Sequence, residues 1–437
     1  MDLLIDWLWF YFQVLLLVWV GFRELARPHG RNIYAMALVL ATLALVHGQA
    51  WWMLSKFSAA GTGVIRHLGK SISLHGACLA NRYIGLSVLC FVVTYLVLSR
   101  RKAPLNQHAP ARDDRQLVPN LNGILLSVWS LSFGAVALNY LGGIDMLVRN
   151  PGQYFGRGAT MFLVLTHVGR LQLLDKISRR QKGNLLDILL FGSIILFQLF
   201  NGRGWTLFFL FQLLLLINYC RREVSRKMIM GCLVVFIFIA IVFGTYRQFS
   251  VVQEEIGFSD IPYAYQKYTD TDNAVDWFYA TAVEGFAGFA GILTYADSQG
   301  GISHDFGLSN LSFWIKLVPY PLRLDPTLPF MDLEDGILEI YPYKDSITRS
   351  GYESSYAHFG IMGVLGLGVL LGVAVCKFHQ KMMDPTRNRL VIALFSAYLL
   401  LPLYGSFYFI LFYCMTESCD LLAYKIIKSI SIRLSTR

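Results

Sequence analysis

Long apolar runs dominate the chain, and polar residues fill the short breaks between them. Stretches near 3–22, 33–54, 79–99, 122–141, 158–175, 184–200, 205–219, 228–246, 356–376, 388–402 and 405–424 each approach the roughly 20 residues that cross a bilayer as a helix. The pattern predicts an all-α polytopic membrane protein with about 11 transmembrane helices. As a single helix, 184–219 would measure about 54 Å against a hydrocarbon core of ~30 Å, so the chain is expected to fold back at NGRG, 201–204. A further apolar run, 275–295, sits inside a long connector. A crossing there would invert everything after it, so it is expected to lie in the interface or dip into the membrane.

Composition agrees with this reading. At 55% apolar, 14% aromatic and 15% charged residues, the chain is too apolar for a soluble globule. Its net charge of +10 would suggest nucleic acid if the basic residues formed one surface. They do not. They gather at 23–31, 100–115, 176–182, 221–227, 377–389 and in the tail from Lys425, and these groups hold 24 of the 38 Lys and Arg. Those are alternate connectors, as the positive-inside rule requires of a cytoplasmic face. The charge therefore reports topology, and nucleic acid is not an expected partner. The N-terminus is expected outside, without the basic n-region of a cleavable signal, and the C-terminus inside. The seven Cys lie in or beside predicted helices and suggest neither a disulfide framework nor a metal site.

The domain reading follows the spans: 1–246 with helices 1–8, an outward loop at 247–355, and 356–437 with helices 9–11 and a basic tail. The loop is 109 residues long and carries 16 of the 28 carboxylates against 6 basic residues. A connector of that length is normally a folded or functional segment. Its stretch 318–330, VPYPLRLDPTLPF, is irregular because each Pro fixes φ and removes a donor.

Five arginines stay at outer helix edges although cytoplasmic connectors absorb most basic residues. They are Arg157, Arg203, Arg247, Arg323 and Arg349. Arg203 either snorkels to headgroups or lines an outer cavity, since a guanidinium in lipid needs a polar partner. A planar guanidinium matches phosphate oxygens two at a time, so the set points to an anionic ligand at the outer leaflet. The loop exit, SITRSGYESSYAHFG (346–360), adds Tyr352, Glu353, Ser354 and His358 just before a glycine-rich apolar run. Ser354 and His358 stand one helical turn apart. His358 suits proton transfer, and Glu353 could act as base or hold the ring. The structural alternative makes His358 a hydrogen-bonded core residue and Glu353 a partner of the helix dipole. Gly360, Gly363, Gly366, Gly368 and Gly372 predict close helix contacts.

Other polar residues read as structural. His47 and His167 are expected to make core hydrogen bonds, Arg170 to snorkel inward, and Asp6 and Asp187 to be hydrated at helix ends. The acids Asp332, Glu334, Asp335 and Glu339 lack the EF-hand pattern and read as a solvated loop.

The hairpin NGRG, the helix ending in TYR (245–247), the large outer loop and the exit GYESSYAHFGIMG together resemble bacterial O-antigen polymerases of the Wzy type, the oligosaccharide repeat-unit polymerases. The chain departs from the family's Arg-x10-Gly motifs, because eleven residues separate Arg157 from Gly169 and nine separate Arg247 from Gly257. The resemblance implies a GT-C-like, inverting, metal-independent glycosyltransferase in the bacterial inner membrane, with the N-terminus and large loop periplasmic. It implies undecaprenyl-diphosphate-linked glycans as donor and acceptor, no cofactor, and a chain-length regulator protein as a possible associate. His358 or Glu353 would serve as catalytic base; Arg157, Arg203, Arg247, Arg323, Arg349, Tyr352 and Ser354 would hold diphosphate and substrate. The related O-antigen ligase uses the same donor. A transporter would instead place polar residues at the bilayer midplane.

Overall fold

The structure is a computed structural model. It describes residues 2–27, 30–60, 63–67, 70–100, 121, 167–201, 203–221, 224–225, 227–228, 231, 285–302, 304, 306, 350–403 and 407–435. The described residues are mostly helical. Four helices among them are long and apolar enough to cross a membrane: Leu3–Ala26, Ile33–Ala59, Leu74–Ser99 and Gly351–Met383. The span expected at 122–141, nearly all of the one at 228–246, and the start of the one at 158–175 lie outside the described residues. The chain forms two compact units that interleave along the sequence. Unit 1 comprises Met1–Lys102, Tyr279–His379 and Leu399–Tyr413; unit 2 comprises Ala103–Phe278, Gln380–Tyr398 and Cys414–Arg437.

In unit 1, α1 (Asp2–Ala26) shows how the sequence sorts its faces. The buried positions are Asp6, Phe10, Gln13, Leu17, Val20 and Glu24, alternately four and three apart. That is the a/d seam of a helix packed on another helix. Three of its six residues are polar, while Leu4, Leu8, Leu15 and Phe22 on other faces are more than 60% exposed. Apolar-out and polar-in is the arrangement a lipid surround demands, since a buried polar group needs a protein partner there. Each has one on α4 (Leu74–Ser99) or nearby. Asp6 accepts from Arg82 Nε and Nη2, both at 2.9 Å. Gln13 donates to Asn81 at 3.1 Å and faces His47 Nε2 at 3.1 Å. Glu24 accepts from Tyr95, and from Arg27 and the Asn32 amide at 3.0 Å. Asp6 is thus fully buried rather than hydrated.

Asn32 caps α2 (Ile33–Ala41), which continues through a π turn at Thr42–His47 into α3 (Gly48–Ala60). A short antiparallel hairpin, β1 (Val64–His67) and β2 (Lys70–Ser73), leads into α4, where the Ser73 hydroxyl caps by accepting from the Gly76 amide at 3.0 Å.

In unit 2, the helix at 167–178 is α5, followed by α6 (Leu185–Asn201) and α7 (Arg203–Leu216). The last two pack against each other, so the chain does turn back beside NGRG. Asn184 and Asp187 cap α6 reciprocally, amide to side chain, at 2.8 and 2.9 Å. Asp187 was expected to be hydrated; instead it is fully buried and accepts from Lys176 at 2.7 Å and Gln172 at 2.6 Å. A neighbouring carboxylate, Asp175, accepts from Lys428, Arg179 and Tyr424 at 2.7–2.8 Å. Part of the basic charge expected to mark topology therefore also locks helices together.

Candidate functional site

Two elements of unit 1 frame the loop exit. The first is α8 (Gly285–Ser298), which overlaps the run 275–295 expected to lie in the interface or dip into the membrane. An interfacial helix leaves one face to lipid or water. Here every residue from Gly285 to Leu293 is buried, so α8 is an internal helix of the unit. Its first free amides, those of Phe286 and Ala287, donate to the Gln49 side-chain oxygen at 2.9 and 3.0 Å. Close contact at both ends requires glycine: a Cβ on Gly285 would stand 2.6 Å from the Leu403 carbonyl oxygen, and one on Gly76 would meet Thr294 Oγ1 at 2.2 Å.

The second is α9 (Gly351–Met383), the expected ninth span. It is not one straight rod. Gly360, at φ 61 and ψ −152, breaks it into a leg at 351–359 and a longer leg at 361–383. That backbone conformation is essentially open to glycine alone. The turn is tight enough that a Cβ on Gly363 would lie 2.1 Å from the Ser355 carbonyl oxygen. The longer leg then runs close along α4. Gly368 abuts the Ser87 carbonyl and Gly372 abuts Phe91 and Thr94, so the Gly-x-x-x-Gly spacing brings two backbones together. Gly366, by contrast, faces open space.

The short leg carries Tyr352, Glu353, Ser354 and His358, the residues expected at the site. Ser350 is its N-cap: its hydroxyl accepts from the Glu353 amide at 3.2 Å and its carbonyl from Ser354 at 2.9 Å. With Glu353 three positions on, S-x-x-E has the sequence of a capping box, a signal the sequence reading did not use. One of the acid's carboxylate oxygens, Glu353 Oε2, is buried without a hydrogen-bond partner. The Ser355 hydroxyl is in the same condition. Tyr352, Glu353, Ser354 and His358 are all at most 4% exposed.

Around them stand Tyr83 of α4 against Tyr356, Phe289 of α8 against Tyr352 and Tyr356, and the Pro402 carbonyl against Gly351. His304, another residue the sequence reading passed over, closes the corner. Its Nδ1 lies 3.1 Å from the Ala357 carbonyl and its ring meets Tyr356 edge-on, while the Phe306 amide donates to the His358 carbonyl at 3.1 Å. Outside the corner, Phe306, Phe359 and Met362 are exposed.

Ser354 and His358 share the leg, one turn apart. Glu353 and His358, five positions apart, look out about 140° from each other around the axis. Arg157, Arg247, Arg323 and Arg349 lie outside the described residues. Arg203 opens α7, in unit 2.

Polar side chains read as incidental in sequence prove heavily partnered. Arg170 does not snorkel: it is fully buried and paired with Glu417, 247 residues away. His167 bonds to Asp420. Partners so distant in sequence give no i±3 or i±4 signal. The six cysteines among the described residues are free thiols.

No family model, no curated protein and no solved structure matches the chain.

Proposed function

We propose that the chain is an inverting glycosyltransferase that joins undecaprenyl-diphosphate-linked repeat units into a surface polysaccharide at the outer face of a bacterial inner membrane, on a GT-C-like framework of about 11 spans. The observation that carries this reading is the Glu353 carboxylate: enclosed at the exit of the acidic loop, on a capped leg, with Oε2 unpartnered. An acceptor with one spare lone pair in a dry site is what proton abstraction from a sugar hydroxyl requires. The hydroxyl oxygen attacks the anomeric carbon as its proton passes to Glu353, or to His358 as the alternative base. The bond from that carbon to the diphosphate oxygen breaks, and the diphosphate leaves with the electron pair. Arg157, Arg203, Arg247, Arg323 and Arg349 would neutralise it, with Tyr352 and Ser354 beside the sugar. The exposed Phe306, Phe359 and Met362 offer an apolar flank to a polyprenyl chain.

A second reading is favoured by one observation. The paired Arg170 and Glu417 are interior ions of the kind a transporter keeps between its helices. Purified chain in proteoliposomes, supplied with lipid-linked repeat units, tests both. A ladder of product lengths supports polymerisation. Transfer to a lipid A–core acceptor without a ladder means ligase, and translocation of intact lipid-linked units without transfer means transporter.

A further inference from the structure

Unit 2 encloses an ionisable cluster that glycosyl transfer does not use. Arg170 Nη2 lies 2.6 Å from Glu417 Oε1, and Nη1 lies 3.3 Å from Oε2 and 2.6 Å from the Gln212 side-chain oxygen. The guanidinium carbon sits 4.1 Å from the centre of the Phe209 ring. Glu417 Oε2 also accepts from the Tyr398 hydroxyl at 2.6 Å and from Gln212 at 3.4 Å. This pair is balanced, one charge against one. Beside it, His167 Nδ1 bonds to Asp420 Oδ2, which also lies 3.7 Å from Arg170 Nη2. The His167 side chain is 2% exposed and that of Asp420 14%.

Among the described residues, Arg170 brings one guanidinium to the cluster, whereas Glu417 and Asp420 bring two carboxylates. The His167–Asp420 couple is the part that the Arg170–Glu417 pair does not match, and a charge enclosed there calls for a counter-charge or a proton. On the spans read from the sequence, 158–175 and 405–424, Arg170 stands five residues and Glu417 seven residues from the end expected at the cytoplasmic face, about 8 and 11 Å inside it.

We propose that His167 and Asp420 form a proton-binding site inside unit 2, taking up and releasing one exchangeable proton against the fixed Arg170–Glu417 pair. Uptake adds one H⁺ to a ring nitrogen of His167 or an oxygen of Asp420 and changes no bond between heavy atoms. Among the described residues, Arg170 from its own helix faces the site directly, with Glu417 of the final helix behind it and Cys414 and Tyr398 beside Glu417. Gln212 and Phe209 of α7 add a neutral polar wall and an aromatic one. A proton fits where a metal cation does not: the two atoms already stand within one hydrogen bond, and the Arg170 guanidinium repels any larger cation nearby. The site is independent of whether the chain transfers sugars or moves them.

Difference infrared spectroscopy of the whole chain in nanodiscs, mildly acidic minus mildly alkaline, tests this. The expected result is an imidazolium ring band lost in His167→Gln, together with a pH-dependent carboxyl signal lost in Asp420→Asn, each with unchanged helical circular dichroism. Difference spectra that superpose for wild type and both variants overturn the proposal. So does a signal that follows sodium at fixed pH instead of following pH. Should Asp420→Asn not fold, Asp420→Glu keeps the carboxyl and must move the midpoint of the transition; an unmoved midpoint also overturns it.

Discussion

Gly363 lies so close to Ser355 that a side-chain carbon there would stand 2.1 Å from the Ser355 carbonyl oxygen. Eight residues along a straight helix cover about 12 Å. The approach exists only because Gly360 turns the chain back, and it buries the leg that carries Glu353 and His358.

Gly360→Ala forces a side chain into a conformation that favours glycine, with His304 Nε2 only 3.1 Å from the new carbon. The expected loss is about 1–3 kcal/mol of stability. Thermal unfolding of purified protein in detergent measures it, and a melting curve matching wild type would remove the turn from the account.

Glu353→Gln keeps size and removes the base. Transfer should fall by about 10²–10⁴-fold while expression, insertion and donor-lipid binding persist. His358→Ala separates the two candidates: if only this variant loses transfer, the imidazole is the base. Retained product ladders in both would take the short leg out of the chemistry.

Arg203→Ala should abolish long chains and leave membrane insertion intact. The length distribution of polysaccharide on a gel reads this directly, and an unaltered ladder excludes Arg203 from diphosphate binding.

Arg82→Ala strips the fully buried Asp6 carboxylate of two hydrogen bonds. Half of the arginine is exposed, so the cost is about 1–3 kcal/mol rather than that of a fully enclosed pair. A double-mutant cycle with Asp6→Asn gives the coupling. Additive effects would mean that the contact contributes nothing.

Gly368→Val should wedge α9 away from α4, since even a Cβ meets the Ser87 carbonyl at 2.1 Å. A loss of about 1–3 kcal/mol is expected, while Gly366→Val, facing open space, should leave the melting temperature in place.

The apolar runs that fall within the described residues were legible as helices because hydropathy alone fixes which segments shed water. The fold-back beside NGRG was legible from length. Gly360 was read as a contact glycine, and its actual role as a turn was hidden because a backbone dihedral leaves no periodic trace. The polar seam Asp6, Gln13 and Glu24 does have a heptad signature. The signature is masked in an apolar helix, where Leu, Phe and Trp fill every other face and these three polar residues among 25 set no visible period. The pairings of Arg170 with Glu417 and of His167 with Asp420 join positions roughly 250 apart, which no local spacing reveals. Of the candidate site, the described residues place the loop exit among its neighbours, while Arg157, Arg247, Arg323 and Arg349 lie outside them.

Gln49 sits 237 positions before Phe286, whose amide it receives. A ribosome therefore finishes the first pair of membrane helices long before α8 is made, and the side-chain oxygen waits in place for it. When the loop emerges, its helix starts on a ready-made acceptor. Assembly of this unit thus has a direction in time, with an early helix presenting the acceptor on which a much later one begins.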